Sequence, residues 1–400
     1  MNVQTPERKA TRAQDGDWLA PDRADLPFFG EEHQALTRRL SDWAREAEGE
    51  IAEALDLPPP EAVRRLTRLL GQGGWFSLAL KAPVDTRAIC LIREAFAYRH
   101  DLLDYAFSIQ ILAALPLALW GSDMHRSEIL PKLCSGEEIG AFALTERDSG
   151  SDISAIGLQA VETDGGFRLT GQKSWIANAD IADQVVVLTR TGAGAGPLGL
   201  TLFVADTRSE GCRVQPVELI APRPFGDITF DDFLVPTDRL VGDKGMGLAV
   251  AIDTLERCRI TVGAAANGFA RRAVVEAGGH VLERRATGRR LADIPAVRGI
   301  LTRMTAAMHL SQLTVTEAAW EMDRGGARKS PLSSLAKLHA TEAAQGIVDQ
   351  SVQLHGAAGL VAGSVPENLY RQIRSLRLYE GASEVQEDIL SEAVIAGSLR

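Results

Sequence analysis

The chain has 400 residues, which corresponds to about two or three domains and is long enough to bury a sizeable core without disulfides or metals. Hydrophobic residues make up 45% of the sequence and charged residues 24%, which excludes small disulfide-rich, fibrous and disordered proteins. The 43 basic and 53 acidic residues give a net charge of −10, and this argues against a nucleic-acid partner, which requires a basic face.

The cysteine pattern and the first residues predict a cytoplasmic protein. The four cysteines lie far apart in the sequence and form no CxxC pair, so no metal site and no disulfide framework is expected. The N-terminal residues lack the apolar core of a secretory signal. The most apolar stretch, residues 107–120, is shorter than a membrane span, which predicts a buried core helix and no membrane partner.

Apolar residues begin to recur at regular spacing only after a polar N-terminal segment. Residues 1–27 are without period and are predicted to form a loosely ordered arm. Residues 28–136 carry apolar side chains at helical spacing, as in Leu36, Leu40 and Trp43. This region is therefore a predicted N-terminal helical domain.

The middle of the chain, residues 137–241, contains short β-rich runs separated by turn signals. The predicted strands are residues 158–162, 167–173, 184–189, 200–204 and 214–219, with a further strand starting at Ala141. They indicate a small β domain inserted between helices.

Helical spacing returns in residues 242–400. The predicted helices are residues 248–269, 280–289, 296–322, 332–354 and 383–396. The order of helices, sheet and helices does not alternate as βαβ units do, and neither GxGxxG nor GxxxxGK[ST] occurs. The predicted fold class is therefore an α+β multidomain protein and not a doubly wound nucleotide-binding fold.

Three segments carry more polar and aromatic residues than a core requires. The first, AFALTERDSGSD at residues 141–152, leads from a strand into a Ser/Gly/Asp turn whose hydroxyl and N–H groups are suited to a polar ligand. The second, GQKSWIAN at residues 171–178, ends a strand with a large aromatic side chain. The third, LYEGASEVQ, places Glu380 before Ser383, which is predicted to cap the last helix with Gln386 in the capping-box position.

Each of these segments also has a purely structural interpretation. The first is then a capped turn, the second a core tryptophan, and the carboxylate of Glu380 is solvated. An apolar pocket around Glu380 would instead raise the pKa of its carboxyl group and make it a base. Taken one at a time, the segments leave both interpretations open.

Taken together, the segments resemble the acyl-CoA dehydrogenase family over nearly the whole chain, from about Phe28 to about Leu390. The resemblance rests on TERDSGSD, GQKSWIAN, GMGLAVAIDTLERCR, ERRATG, QLHGAAG and RLYEGASEVQ, which occur in the family's order. The interval from Arg259 to Arg284 also agrees with the family's pattern. The resemblance implies a helical N-terminal domain, a middle antiparallel β-barrel-like domain and a C-terminal four-helix bundle, with FAD bound between the last two.

The resemblance also implies which residues contact the ligands. The implied flavin contacts are Phe142, Leu144, Thr145, Ser151, Trp175, Ile176 and Ala177. The contacts implied for the pyrophosphate and adenosine, partly across a subunit boundary, are Arg284, Gln353, Gly356, Ala382, Ser383 and Glu384. The acyl thioester is expected to enter beside Ser151, Glu256, Arg259 and Gly381.

Glu380 occupies the position of the family's catalytic base. In such enzymes the base removes the α-proton of the thioester while the flavin accepts the β-hydrogen, which gives a trans-2-enoyl thioester. The backbone N–H of Glu380 and a ribityl hydroxyl of FAD are the implied donors to the thioester carbonyl. Some relatives carry their base at the position of Cys258, where a cysteine is interpreted as packing, and Glu256 remains a second candidate.

The sequence departs from the family at several cofactor positions. Ala177 replaces the threonine or serine whose hydroxyl usually bonds the flavin, and Thr287, Pro295, Ala357 and Ala382 replace other usual residues. These departures put the affinity and redox potential of the cofactor in question more than the fold.

The expected function is a dehydrogenase that acts on an acyl-CoA and passes electrons to an electron-transfer flavoprotein, assembled as a homo-oligomer, most simply a dimer of dimers. The alternatives are the same fold acting on a carrier-protein-bound acyl group or as an oxidase, and a catalytically silent acyl-CoA- or flavin-binding scaffold. On the apolar helix, the candidate pocket residues Ser108, Gln110, Ile111 and Ala114 are compatible with a short, branched or cyclic acyl chain.

Overall fold

The computed structural model describes residues 18–20, 22–192 and 197–398, which form a helical part, a β-sheet and a second helical part in chain order. The first part contains helices α1 (Glu31–Leu55), α2 (Pro59–Gln72), α3 (Trp75–Ala79), α4 (Thr86–Arg99), α5 (Asp101–Trp120) and α6 (Leu130–Ser135). In its core the Trp75 ring meets the rings of Trp43 and Phe96 edge to face, with centroid distances of 5.4 and 5.9 Å. Such aromatic contacts add to the free energy gained by burying the rings.

The chain before α1 packs against this helical core. Trp18 is 4% exposed, and its ring meets the Trp43 ring edge to face at 6.0 Å. Arg23 forms a buried ion pair with Glu94 of α4 at 2.9 Å. The prediction of a loosely ordered arm is wrong for these residues, because one anchoring tryptophan and a long-range ion pair leave no periodic signal. Residues 1–17 of the predicted arm lie outside the described residues.

Helix α5 is the apolar helix that the sequence predicts, and it is longer than its apolar run. It is the one helix in the described part of the chain that is long and apolar enough to cross a membrane, and 72% of its apolar window is buried inside the protein. Helices in a protein core pass the same test of length and composition. The helix packs against α2 and α4 and also against residues 247–283, the first long helix of the second helical part, and so lies between the two helical parts.

The middle part is an eight-stranded, mainly antiparallel sheet with the strand order β6-β7-β3-β2-β4-β5-β8, in which β1 pairs with β4 in parallel. The strands are β1 (Gly140–Ala143), β2 (Gln159–Thr163), β3 (Gly166–Ala177), β4 (Gln184–Arg190), β5 (Leu200–Asp206), β6 (Cys212–Pro216), β7 (Phe225–Pro236) and β8 (Leu240–Val241). The sequence pattern does not indicate β7, because its glycine and aspartates are depleted in strands. The pairing of β3 with β7 shifts register between Lys173 and Ile176, which marks an irregularity at Trp175.

The C-terminal part consists of α7 (Gly247–Glu283), a short hairpin of β9 (Arg285–Ala286) and β10 (Arg289–Arg290), and helices α8 (Pro295–Asp323), α9 (Lys329–His355), α10 (Val365–Ile373) and α11 (Ser383–Ile395). Helix α7 contacts α4, α8 and α9 and joins the two helical parts into one body. The α+β fold class predicted from the sequence is confirmed.

The predicted helix over residues 280–289 is wrong. Helix α7 continues unbroken to Glu283, and the chain then reverses in the hairpin β9–β10. The reversal uses left-handed backbone at Thr287 and Gly288, with φ of 50° and 81°. Basic side chains around this turn imitate the composition of a solvated helix, and only the glycine signals the turn.

Candidate active site

A cavity of about 490 Å³ lies where the first helical part, the sheet and the C-terminal helices meet. Of the residues predicted to form the site, the cavity is lined by Phe142, Leu144, Thr145, Trp175, Ile176, Ala177, Glu380 and Gly381. Three segments separated by long stretches of sequence therefore converge on one volume. Cavities of this size, mostly apolar with a few convergent polar groups, are typical of small-molecule sites.

One wall of the cavity comes from the end of β1 and from the irregular end of β3. The N–H of Ser174 donates to the carbonyl of Thr145 at 2.9 Å and joins the two segments. Trp175 follows with φ of 60°, and its N–H donates to Asp227 of β7 at 2.9 Å. Because the Trp175 side chain is 46% exposed and lines the cavity, its interpretation as a core tryptophan is wrong.

The turn after β1 is built around Glu146. Its carboxylate accepts hydrogen bonds from the backbone N–H groups of Gly157 and Leu158 and from the ammonium of Lys173, at 2.7, 3.0 and 2.8 Å. Burial lowers the pKa of the fully buried Lys173 to about 8. This network was not predicted, and it holds the turn so that Gly150 reaches the cavity wall. Ser151, the predicted flavin and substrate contact in the same turn, is exposed and lies outside the cavity lining.

The opposite wall carries Glu380, in a left-handed turn directly before α11. Glu380 and Gly381 have φ of 55° and 95°. Arg259 of α7 donates to the carbonyl of Glu380 at 3.1 Å, and the buried Lys337 of α9 donates to the carbonyl of Gly381 at 2.7 Å. The strained turn is thus fixed by side chains from two long helices.

The carboxyl group of Glu380 is left without a structural partner. Its Oε2 atom is buried and makes no hydrogen bond to any residue in the described ranges. Burial raises the pKa of Glu380 to about 7, although the cations of Arg93, Lys337 and Arg259 act in the opposite direction. A carboxyl group that titrates near neutral pH beside a cavity is suited to general acid–base chemistry. The interpretation of Glu380 as a solvated surface carboxylate is therefore wrong.

The predicted capping box at the start of α11 is also wrong. The N-cap residue is Ala382, so Ser383 is the first residue of the helix, and its hydroxyl donates to Glu342 of α9 at 2.6 Å. The amide of Gln386 donates to the carbonyl of Gly381 at 3.2 Å. The same two side chains therefore hold the turn that bears Glu380 instead of capping the helix.

The other predicted substrate contacts lie near the cavity but do not line it. Arg259 is not part of the cavity lining; it bonds the backbone carbonyl of Glu380, and its charge acts on the Glu380 carboxyl group. Glu256 accepts a hydrogen bond from Ser333 through its backbone carbonyl, and its side chain is not part of the cavity wall. Cys258 is buried in the hydrophobic core, as the packing interpretation predicts, and burial raises the pKa of its thiol well above the usual value.

The predicted pyrophosphate and adenosine contacts fall in two places. Ala382, Ser383 and Glu384 form the start of α11 directly after the turn that bears Glu380, and Arg284, Gln353 and Gly356 lie elsewhere. Arg284 follows the last residue of α7, roughly 37 Å beyond Arg259 at the helical rise of about 1.5 Å per residue. It is exposed, as are Gln353 and Gly356 at the end of α9. The two helix ends adjoin, because the rings of His280 and His355 stack with centroids 4.3 Å apart. We call this surface, formed by Arg284, Gln353 and Gly356, the distal surface.

The cavity also has a polar wall that the sequence analysis did not identify. It consists of Arg93, Asp101, Asp104, Arg223 and Tyr379. On α5, the cavity is lined by Ser108 together with Ile109 and Leu112. The expectation for the other three α5 candidates is wrong; the amide of Gln110, for example, donates to the backbone carbonyls of Leu133 and Glu138. The sequence did contain a signal for the correct set. Ser108, Ile109 and Leu112 lie three, four and seven residues after Tyr105, and residues at this spacing share one face of a helix.

Comparison with known proteins places the chain in a class. Residues 141–233 match the model of the acyl-CoA dehydrogenase middle domain, and residues 245–395 match that of the acyl-CoA dehydrogenase C-terminal domain. The protein is a flavin-dependent oxidoreductase. More particularly, the chain belongs to the acyl-CoA dehydrogenase family, which confirms the family predicted from the motifs.

Individual relatives extend over nearly the whole chain. The chain is 30% identical to a 3-(aryl)acrylate reductase of Clostridium sporogenes, over 92% of this chain and 100% of the relative. It is 29% identical to the caffeyl-CoA reductase–Etf complex subunit CarC of Acetobacterium woodii, over 91% and 98% of the two chains. The solved butyryl-CoA dehydrogenase of Megasphaera elsdenii superposes with a TM-score of 0.84 and 24% identity, over 92% of this chain and 99% of that chain.

Proposed function

We propose that the protein catalyses the FAD-dependent α,β-dehydrogenation of an acyl-CoA thioester to the trans-2-enoyl-CoA. The observation that carries the proposal is the buried carboxyl group of Glu380 on the cavity wall, with a pKa of about 7 and an Oε2 atom that makes no hydrogen bond to a described residue. The relatives named as a 3-(aryl)acrylate reductase and as a subunit of a caffeyl-CoA reductase–Etf complex support it as well. Reduction and dehydrogenation are opposite directions of one reaction and use the same groups.

The cavity fits a flavin ring. The ends of β1 and β3 supply a largely apolar wall that includes the aromatic side chains of Phe142 and Trp175, and the Oε2 atom of Glu380 has no hydrogen-bond donor among the described residues. Phe142, Leu144, Thr145 and the segment 175–177 are the residues that would hold the ring. FAD, when bound, supplies the two-electron acceptor that the side chains of the chain lack.

Glu380 is the proposed base that accepts the α-proton. Arg259 bonds the backbone carbonyl of Glu380 and Lys337 bonds that of Gly381, so little reorganisation of the turn is needed when the substrate arrives. The Glu380 N–H forms no hydrogen bond with another residue of the described chain and is free to donate to the thioester carbonyl. This donor favours the enolate character that develops as the α-proton leaves.

The proposed assembly is a homo-oligomer, most simply a dimer of dimers, that completes the cofactor site. The distal surface is remote from the cavity of its own chain, and exposed arginine and backbone groups there are suited to the phosphates of a cofactor held by a neighbouring subunit. We propose an electron-transfer flavoprotein as the electron acceptor, and the Etf complex named for the Acetobacterium relative supports this choice.

An anaerobic spectroscopic titration tests the proposed function. The purified protein, supplemented with FAD, is expected to show flavin absorbance that bleaches on addition of a saturated acyl-CoA and returns when an electron acceptor is added. A folded protein that binds no FAD supports the scaffold alternative. Bleaching by an acyl carrier-protein thioester but by no acyl-CoA supports the carrier alternative, and rapid reoxidation by oxygen supports the oxidase.

A further inference from the structure

The polar wall of the cavity holds four buried charges in two ion pairs. Arg93 bonds both carboxylate oxygens of Asp104, at 2.9 and 2.8 Å, and the two side chains are 3% and 6% exposed. Arg223 donates to Asp101 at 2.9 Å, with exposures of 6% and 7%. Burying ion pairs is costly unless other hydrogen bonds complete their polar environment. A hydrocarbon chain against this wall would displace the water molecules that bond these groups and would make no hydrogen bonds to replace them.

Two donors on this wall are unused. The Nε atom of Arg223 is buried and has no hydrogen-bond partner among the described residues. The hydroxyl of Tyr379, a residue that is next to Glu380 and also lines the cavity, makes no hydrogen bond within the described ranges. The hydroxyl of Tyr105 differs, since it donates to the carbonyl of Pro224 and accepts from the N–H of Asn178. Buried polar groups in folded proteins are nearly always paired, so the unpaired Nε atom of Arg223 marks a place for a ligand atom. The Tyr379 hydroxyl on the same cavity wall is a second available donor.

The charges on the wall also restrict what the ligand carries. The two arginines and two aspartates cancel, and both guanidinium groups are already occupied by carboxylates. A ligand carboxylate would meet two aspartates and Glu380, whereas a ligand ammonium group would meet two arginines. An uncharged hydroxyl avoids both conflicts, because it accepts from an unused donor and donates to a carboxylate oxygen.

We propose that the polar wall is a subsite for an uncharged hydroxyl group on the acyl part of the substrate. The proposal rests on the proposed function and names the class of acyl group that the enzyme prefers, a hydroxylated acyl thioester. Aromatic side chains at Tyr105, Phe225 and Phe269 line the same cavity and favour an aryl group as the body of that acyl chain. Tyr379 is the specificity-determining residue.

Matched thioesters test the subsite. We would compare 3-phenylpropionyl-CoA with its 2-, 3- and 4-hydroxyphenyl analogues in steady-state assays of the FAD-loaded protein with an artificial electron acceptor. At least one hydroxyphenyl isomer is expected to exceed the phenyl compound in kcat/KM by about tenfold or more, because a site with buried donors rejects a ligand that leaves them unpaired. The Y379F variant should lose most of this ratio, whereas Y370F, a control at an exposed tyrosine of α10, should retain it.

Calorimetric binding of the corresponding unsaturated thioesters separates the subsite from the reaction. Cinnamoyl-CoA, its hydroxylated analogues and a carboxyphenyl analogue bind without turnover, and the best hydroxylated ligand is expected to bind about tenfold more tightly than cinnamoyl-CoA. Equal dissociation constants and equal kcat/KM values overturn the subsite while leaving the proposed function intact. Tightest binding of the carboxyphenyl ligand also overturns it. A hydroxyl preference in binding without flavin bleaching supports the subsite and contradicts the proposed reaction.

Discussion

The cavity and the distal surface differ in how completely one chain builds them. At the cavity, β1, β3, α5, α7 and the turn before α11 bring their side chains together. The backbone of the turn at Glu380 and Gly381 is held by the cations of Arg259 and Lys337. At the distal surface, Arg284, Gln353 and Gly356 are exposed to solvent. In the proposed function the reacting groups belong to one subunit, and the nucleotide contacts are completed by a second subunit. Substitutions in the two regions should therefore damage different properties.

The largest effect is expected for E380Q. The amide keeps the size of the side chain but cannot accept the α-proton, so anaerobic flavin reduction should slow by about 10²–10⁴-fold while FAD content is unchanged. E387Q, at an exposed position of α11, is the matched control and should react as the unaltered enzyme does. A rate for E380Q within a few-fold of the unaltered enzyme would refute the mechanism, and loss of FAD would show that the residue is structural.

R284A is expected to weaken FAD binding while leaving the rate of flavin reduction nearly unchanged. Loss of one charge-assisted contact to a cofactor phosphate should raise the dissociation constant of FAD by about 10–100-fold. At saturating FAD the rate of flavin reduction should be close to that of the unaltered enzyme. Fluorescence titration with FAD measures the constant, and R289A in the adjacent hairpin β9–β10 is the control. Light scattering that finds a monomer with bound FAD would contradict the proposed division of the site between subunits.

The rate of flavin reduction should depend on pH through Glu380. The carboxylate must be unprotonated to act as the base, and its pKa is raised to about 7. The rate is therefore expected to be maximal above about pH 8 and to fall about tenfold for each pH unit well below 7. Stopped-flow reduction across this range measures the midpoint. A rate that is unchanged down to about pH 5 would mean that the base has an ordinary carboxyl pKa or that another step limits the rate.

The same raised pKa has a consequence for stability. The pKa of Glu380 is higher in the folded protein than in the unfolded chain. The contribution of this carboxyl group to folding stability is therefore complete below about pH 4.5 and is lost as the pH rises through about 7. E380Q should therefore be more stable than the unaltered protein at pH 8, by on the order of 1–3 kcal/mol, and the difference should shrink toward pH 5. Thermal unfolding at the two pH values checks the sign.

A smaller effect is expected for K337M. The ammonium of Lys337 lowers the pKa of Glu380 and donates to the carbonyl of Gly381. Removing it should shift the midpoint of the pH–rate profile upward and lower the rate at pH 7 by a few-fold to about tenfold. K337R keeps the positive charge, so its pH–rate midpoint should lie close to that of the unaltered enzyme. A lower rate with an unchanged midpoint in K337M would mean that Lys337 acts only on the position of the turn.

The periods of the sequence and its motifs determined the order of the domains, most helices and strands, and the identity of Glu380 as a candidate base. These features are local, because helical spacing and the alternation of strands are visible within short windows. The motifs also pointed to the ends of β1 and β3, where the cavity wall lies. Strand β7 was missed because its aspartates hide the alternation, and the hairpin after α7 was missed because its basic residues resemble a helix surface.

Only the tertiary structure decided the properties on which the proposed chemistry of the site depends. The pKa of Glu380 depends on burial and on cations from α4, α7 and α9, which are far from it in sequence. The exposure of Trp175 follows from a register shift between β3 and β7. The polar wall depends on two ion pairs, Arg93 with Asp104 and Arg223 with Asp101. Such long-range contacts leave no periodic pattern, because each depends on one side chain meeting another only after the chain has closed a long loop.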